Sequence, residues 1–183
     1  MRRAITILLA LVLALSLAAC GGGNSKAYSK DQVEAALKSA DEDVSLQQSG
    51  DDYVYASDSI TNTSDYLVKV DSKGNAQYVE IRFQNIDTSL ISGADSITKV
   101  IDLVTNRPGD SRLIDVRAGV CILHMMNLVT LFDDSYSNKS SAELINAVAA
   151  AFANEGSQFG GWKLSSTMNS AEKTVMITAE PVK

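Results

Sequence analysis

The sequence predicts an α+β fold: an antiparallel sheet of about five strands packed against a long buried central helix and two or three further helices. Three observations predict it. Two pairs of strand-like segments, each joined by a short polar turn, flank a helical middle. The helical periodicity is bunched there rather than alternating strand by strand, which argues against a parallel α/β sheet. The stretch from Ala118 to Phe132 is apolar on nearly every side, as a helix must be when other elements surround it.

Taken in order, Ser29 with Gln32 three residues on is a capping-box pattern, and Val33, Ala36, Leu37 and Ala40 follow at the spacing of one helix face. An acidic stretch, Asp41-Glu42-Asp43, leads into a polar loop that runs to Gly50-Asp51-Asp52, and Tyr53-Val54-Tyr55 reads as a short strand. Tyr66-Leu67-Val68-Lys69-Val70 and Tyr78-Val79-Glu80-Ile81-Arg82-Phe83 form the clearest hairpin, turning at Asp71-Ser72-Lys73-Gly74-Asn75. Their alternation buries one face and wets the other, with Lys69 and Glu80 expected to pair on the wet side. Ile97, Val100, Ile101 and Val104 share one helix face, and Pro108-Gly109 ends that helix. Asp110 is expected to cap a long helix from about Ser111 to Phe132. Asp115, Arg117, His124 and Asn127 interrupt any apolar window of membrane-spanning length within it. Ser140 with Glu143 repeats the capping box, Leu144, Ile145, Val148 and Phe152 make a buried stripe, and Gly156 is placed to end the helix. Trp162-Lys163-Leu164 and Thr174-Val175-Met176-Ile177-Thr178 form a second hairpin around Asn169-Ser170-Ala171. The two hairpins are expected to join one sheet, with the long helix across its inner face.

The N-terminus carries an export signal. Arg2 and Arg3 precede an apolar run from Ala4 to Leu15, too short to span a bilayer comfortably, and small residues follow it. The segment Leu17-Ala18-Ala19-Cys20 resembles the lipobox of bacterial lipoproteins. That resemblance, confined to the signal and the cysteine, implies a diacylglyceryl group on Cys20 and cleavage on its N-terminal side. Two acyl chains on one residue suffice for stable anchoring, where one gives only marginal binding. The reading is therefore a signal over residues 1–19, a lipidated cysteine with a flexible Gly/Ser tether over 20–28, and one α+β domain over 29–183, held on the extracytoplasmic face of the cell membrane. Gly21 follows the cysteine where an Asp would mark inner-membrane retention, so the choice of membrane in a two-membraned host stays open.

Composition narrows the function. Removing the signal takes two of the 16 basic residues and none of the 22 acidic ones, leaving 14 against 22, a formal charge of −8. Such a balance argues against nucleic acid as a partner and against a domain lying flat on anionic lipid. With Cys20 acylated, Cys121 has no cysteine to pair with, and stability must come from packing.

The chemistry-bearing residues are few. Arg117, Cys121, His124 and Leu128 share one helical stripe, and a thiolate activated by His124 and Arg117 is the sharpest catalytic hypothesis. Its position in the most apolar segment favours an inert core cysteine and a hydrogen-bonded core histidine instead. One histidine and one cysteine cannot build a zinc site, and the acidic groups Asp41-Glu42-Asp43, Asp51-Asp52 and Asp133-Asp134 lack calcium-loop spacing. No nucleophile elbow or phosphate-cradling loop is present. No catalytic residue, metal or cofactor is therefore expected. Tyr53, Tyr55, Tyr66, Tyr78 and Trp162 are the candidate binding surface, since such rings offer large contact area with a polar tip, although strands also use them for packing. The expected function is a non-catalytic envelope lipoprotein that binds a protein or small ligand outside the membrane. Two alternatives stand beside it: a carrier or assembly factor holding an apolar ligand between the central helix and the sheet near Met125, Met126 and Phe132, and a hydrolase working from converging carboxylates.

Overall fold

A computed structural model of the chain describes residues 26–153 and 156–182. The expected signal, Cys20 and the tether up to Ser25 lie outside the described residues. The fold is α+β: seven antiparallel strands in one sheet, with four α-helices among the described residues.

Helix α1 spans Lys30–Lys38 and opens as its sequence dictates. The Ser29 hydroxyl accepts the Gln32 amide while the Gln32 side chain accepts the amide of Ser29, so two otherwise unpartnered donors are satisfied reciprocally. Four strands follow: β1 Gln47–Ser49, β2 Asp52–Asp58, β3 Thr63–Val70 and β4 Ala76–Phe83. A 3₁₀ turn at Thr88–Ile91 leads to α2, Ala94–Asn106, and then to α3, Leu113–Phe132. A second 3₁₀ turn, Asp134–Asn138, precedes α4, Ser141–Phe152, and the chain closes with β5 Ser157–Phe159, β6 Trp162–Asn169 and β7 Thr174–Pro181. The sheet order is β1-β2-β3-β4-β7-β6-β5, so the two long hairpins meet where β4 pairs with β7.

Two strands exceed the sequence-based count, and both are three-residue edge strands. Gln47-Gln48-Ser49 is polar and wholly exposed, so it carries no apolar alternation, and Ser157–Phe159 buries only Phe159. Pairing with β2 and β6 creates them, rather than any local preference.

One sheet face is covered and the other is wet. Tyr66, Val68, Val79, Ile81, Phe83, Trp162, Leu164, Val175, Ile177 and Ala179 are buried beneath the helices. On the wet face the register sets Lys69 opposite Tyr78 and Leu67 opposite Glu80. The expected Lys69–Glu80 pair is replaced by other contacts. The Lys69 ammonium lies 5.8 Å from the Tyr78 ring centroid, and Glu80 accepts the Tyr78 hydroxyl at 2.7 Å and the Arg82 guanidinium at 3.2 Å.

Helix α3 is the central element. Contrary to the expectation that Asp115, Arg117, His124 and Asn127 break any apolar window of spanning length, it is long and apolar enough to cross a bilayer by length and composition, since these few polar groups leave its mean hydropathy high. Yet its buried residues lie on every side, from Ala118 and Gly119 through Ile122, Met125 and Leu128 to Val129 and Phe132. Its N-cap is Arg112 rather than Asp110. Asp115, in the first turn, accepts the Arg112 amide at 2.9 Å and the guanidinium at 2.9 and 3.0 Å, so a buried carboxylate closes the helix start from inside. Helix α4 likewise ends at Phe152, earlier than Gly156. Gly156 instead takes a left-handed conformation, φ +65°, at the entry to β5, where a Cβ would meet the Leu164 carbonyl and Ser165.

The tether boundary also moves. Tyr28 is 3 % exposed, its carbonyl accepts the Ala76 amide, and Lys26 accepts a hydrogen bond from the Trp162 indole. Residues 26–28 therefore belong to the packed domain rather than to the linker.

Candidate functional site

A connected polar cluster lies in the interior where α3 packs against β3 and β4. Helical phase aims His124 at the sheet, where strand alternation presents Tyr66 and Phe83 from the covered face. Tyr55 stands directly opposite Tyr66 in the β2–β3 ladder. The rings nest: Tyr66 and His124 have centroids 5.5 Å apart, Phe83 and His124 5.2 Å, and Tyr55 and Tyr66 5.7 Å.

A directional hydrogen-bond chain threads this aromatic nest. The Val120 carbonyl can only accept, so the His124 Nδ1–H donates to it at 2.9 Å and Nε2 is left as the acceptor. The Tyr66 hydroxyl then donates to Nε2 at 3.0 Å and accepts from Asn62 Nδ2 at 3.1 Å. The second Nδ2 hydrogen of Asn62 goes to Asp41 Oδ2 at 2.6 Å, and its Oδ1 accepts the Ser64 hydroxyl at 2.8 Å. The chain thus runs from a fully buried imidazole to a half-buried carboxylate in the loop after α1. Among the described residues, no buried side-chain nitrogen or oxygen lacks a partner.

Electrostatics fix the protonation states. Burial pushes the His124 pKa down to about 4, against smaller opposing pulls from the hydrogen bond to the Val120 carbonyl and then from the Asp41 charge, so the ring is neutral near pH 7. Burial pushes the Tyr66 hydroxyl up, well above the usual phenol range. Cys121, 0 % exposed, is likewise pushed up by burial alone, with no cation beside it to favour the thiolate. Arg117, the cation expected to activate it, donates its Nε–H to the Ile60 carbonyl at 3.1 Å in the β2–β3 turn. The stripe of Arg117, Cys121 and His124 therefore has a cation engaged elsewhere, an un-ionised thiol and a neutral imidazole. What the arrangement does chemically is couple helix to sheet without exposing a reactive group.

The five aromatic candidates separate. Trp162 and Tyr66 are core residues, 1 % and 2 % exposed, and cannot meet a partner in this fold. Trp162 stacks on Phe132 at 4.3 Å and 7°, with Tyr28 edge-on to both. Tyr53 and Tyr55 are half-buried on the covered side of β2, and Tyr78 is half-buried on the opposite face. Asn62 and Asp41, which complete the polar chain, had no such signal in the sequence. Asn62 lies in the turn between β2 and β3 and Asp41 in an acidic loop stretch, and each lies far along the chain from His124.

Among the described residues, large exposed apolar side chains are Val54 on β2, Ile60 at the β2–β3 turn, Leu113 at the start of α3 and Val182 after β7. No group of three or more His, Cys, Asp or Glu is placed to hold a metal ion among the described residues. No family model, curated protein or solved structure matches the chain.

Proposed function

We propose that the chain is an envelope lipoprotein, anchored through lipid on Cys20 at the extracytoplasmic face of a membrane, whose domain binds a protein or small ligand and performs no catalysis. The observation that carries the reading is the register of Arg2-Arg3, the apolar run and Leu17-Ala18-Ala19-Cys20. The non-catalytic part draws support from the His124 chain, whose polar groups are spent on one another, and from a thiol that burial keeps protonated.

Surface binding is favoured over an internal carrier, because the region named for an apolar ligand is occupied by side chains. Met125 and Phe132 are buried in the same cluster as Leu128 and Trp162. The β2–β3 hairpin offers the better recognition surface, with Tyr53 and Tyr55 half-buried on one side, Val54 on the other and Ile60 at the tip.

Intact mass of the full chain purified from bacterial membranes tests the anchor: the expected product begins at Cys20 and carries acyl mass, and Cys20→Ser yields a precursor without it. Native mass spectrometry of the domain purified from host envelope tests the binding. A stoichiometric partner that is lost on Ile60→Ser with Tyr55→Ala supports the surface reading, whereas a retained apolar small molecule insensitive to those changes supports the carrier.

A further inference from the structure

We propose that the N-terminal segment holds the domain upright on the lipid surface, with the sheet end that carries the Asp71–Asn75 and Gly160–Gly161 turns facing the membrane and the Ser59–Asn62 turn facing away. This rests on lipid at Cys20, as proposed above, and adds an orientation to it. From Lys26 onward the chain is bound to the domain. The Lys26 carbonyl accepts from Trp162 Nε1 at 3.3 Å, the Tyr28 hydroxyl donates to the Phe132 carbonyl at 3.2 Å, and the Tyr28 carbonyl accepts from Ala76 at 2.7 Å. Ser29 bridges to Asn75, and the Lys30 amide donates to the Gly74 carbonyl.

All these partners sit at one end of the sheet. The Asp71–Asn75 turn joins β3 to β4, and β4 starts at Ala76. The antiparallel register brings the C-terminal end of β7 beside the start of β4, and Pro181 pairs with Trp162, the first residue of β6. The C-terminus of α3 lies here too, through Phe132 against Tyr28 and Trp162, while its N-terminal part reaches the opposite end, where Arg117 meets Ile60.

Length then decides the orientation. Six residues lead from Cys20 to Lys26, a reach of at most roughly 20 Å even when fully extended. The eight residues of β3 separate the two sheet ends by about 26 Å. A leash shorter than the strand cannot bring the far turn to the surface in place of the near one. Charge opposes lying sideways as well, since an acidic body is repelled by anionic headgroups. Ile60 and Arg117 are therefore offered to the space beyond the membrane.

Energy transfer on the acylated full-length chain tests this. A donor dye is placed at Lys73→Cys, in the near turn, or at Thr61→Cys, in the far one, in vesicles of phosphatidylcholine and phosphatidylglycerol carrying acceptor headgroups. The buried Cys121 stays unlabelled and the Cys20 sulfur is occupied. Transfer at position 73 is expected to exceed that at 61 by an amount equivalent to a distance difference on the order of 20 Å. Twenty Gly/Ser residues inserted between Asn24 and Ser25 should bring the two sites toward equal transfer. Equal transfer without the insertion, on protein whose intact mass shows the acyl group, overturns the orientation alone. Protein without acyl mass that fails to bind vesicles overturns the lipoprotein reading and the orientation with it.

Discussion

His124 is enclosed by Tyr66, Phe83 and its own helix, and it keeps its ring neutral because a charge there would be stripped of water. In the unfolded chain the imidazole titrates near 6.5, against about 4 when folded. Between those values the unfolded state takes up a proton that the folded state refuses. Stability from this residue is thus complete above about pH 6.5 and is lost as pH falls toward 4, amounting to about 3 kcal/mol over the window. His124→Gln cannot titrate, so its urea midpoints at pH 7.5, 6 and 5 should fall less steeply than those of the parent. Parallel profiles would show that His124 does not carry the effect. At Cys121 the expectation is silence: a thiol-specific reagent at pH 8 should label it only as fast as the protein unfolds, and subdenaturing urea should accelerate the reaction. Rapid labelling of the native protein would mean that the thiol is reachable, which its complete burial forbids.

Elements show where sequence reading succeeds and where it stops. Both serine capping boxes were legible at Ser29 and Ser140, because a cap and its partner three residues on form a purely local motif. The start of α3 was not, because Arg112 caps through a carboxylate one turn into the helix and no side-chain acceptor occupies the cap itself. The edge strands β1 and β5 were invisible for the same physical reason in reverse: three residues have too little periodicity to announce a strand that only its neighbour induces. Gly160 is a further element-scale feature that only the fold explains. It turns β5 into β6 at φ +50°, and a Cβ there would run into the Phe132 carbonyl at the end of α3. That oxygen belongs to backbone and already accepts the Tyr28 hydroxyl, so it cannot yield. Gly160→Ala should therefore cost about 2 kcal/mol or more, well beyond the roughly 1 kcal/mol usual for a left-handed alanine, and should lower the thermal midpoint, while Gly50→Ala, at a turn with open space, costs less.

Over the whole molecule, the joining of two hairpins into one sheet was legible from their shared alternation, with the apolar helix laid across them. What the sequence could not place was long-range: the Asp41, Asn62, Tyr66 and His124 chain, and the docking of the N-terminal segment across residues 28, 132 and 162. A Gly/Ser run followed by a lone tyrosine reads as linker, since nothing local says that the ring has a socket 104 residues away. That socket makes the attachment point part of the core. The Tyr28 ring packs edge-on to Phe132 at 5.2 Å and to Trp162 at 6.0 Å, and its hydroxyl satisfies one of the carbonyls that a helix end otherwise leaves open. Tyr28→Ala should then behave as a core truncation, losing on the order of 3 kcal/mol through the cavity and the unpaired Phe132 carbonyl, with the denaturant midpoint lowered and the slope unchanged. Tyr28→Phe, which keeps the ring, isolates the hydrogen bond and should cost only about 1 kcal/mol. Lys26→Ala, whose ammonium reaches Asp134 at 3.8 Å across solvent, should change stability by less than about 0.5 kcal/mol. If Tyr28→Ala proved as mild as Lys26→Ala, the segment would be an ornament on the domain and the free leash would lengthen past Ser29. If it is as costly as argued, the segment is fixed into the Phe132–Trp162 stack, and on the proposed anchoring through Cys20 the length of the free leash is set by the core itself.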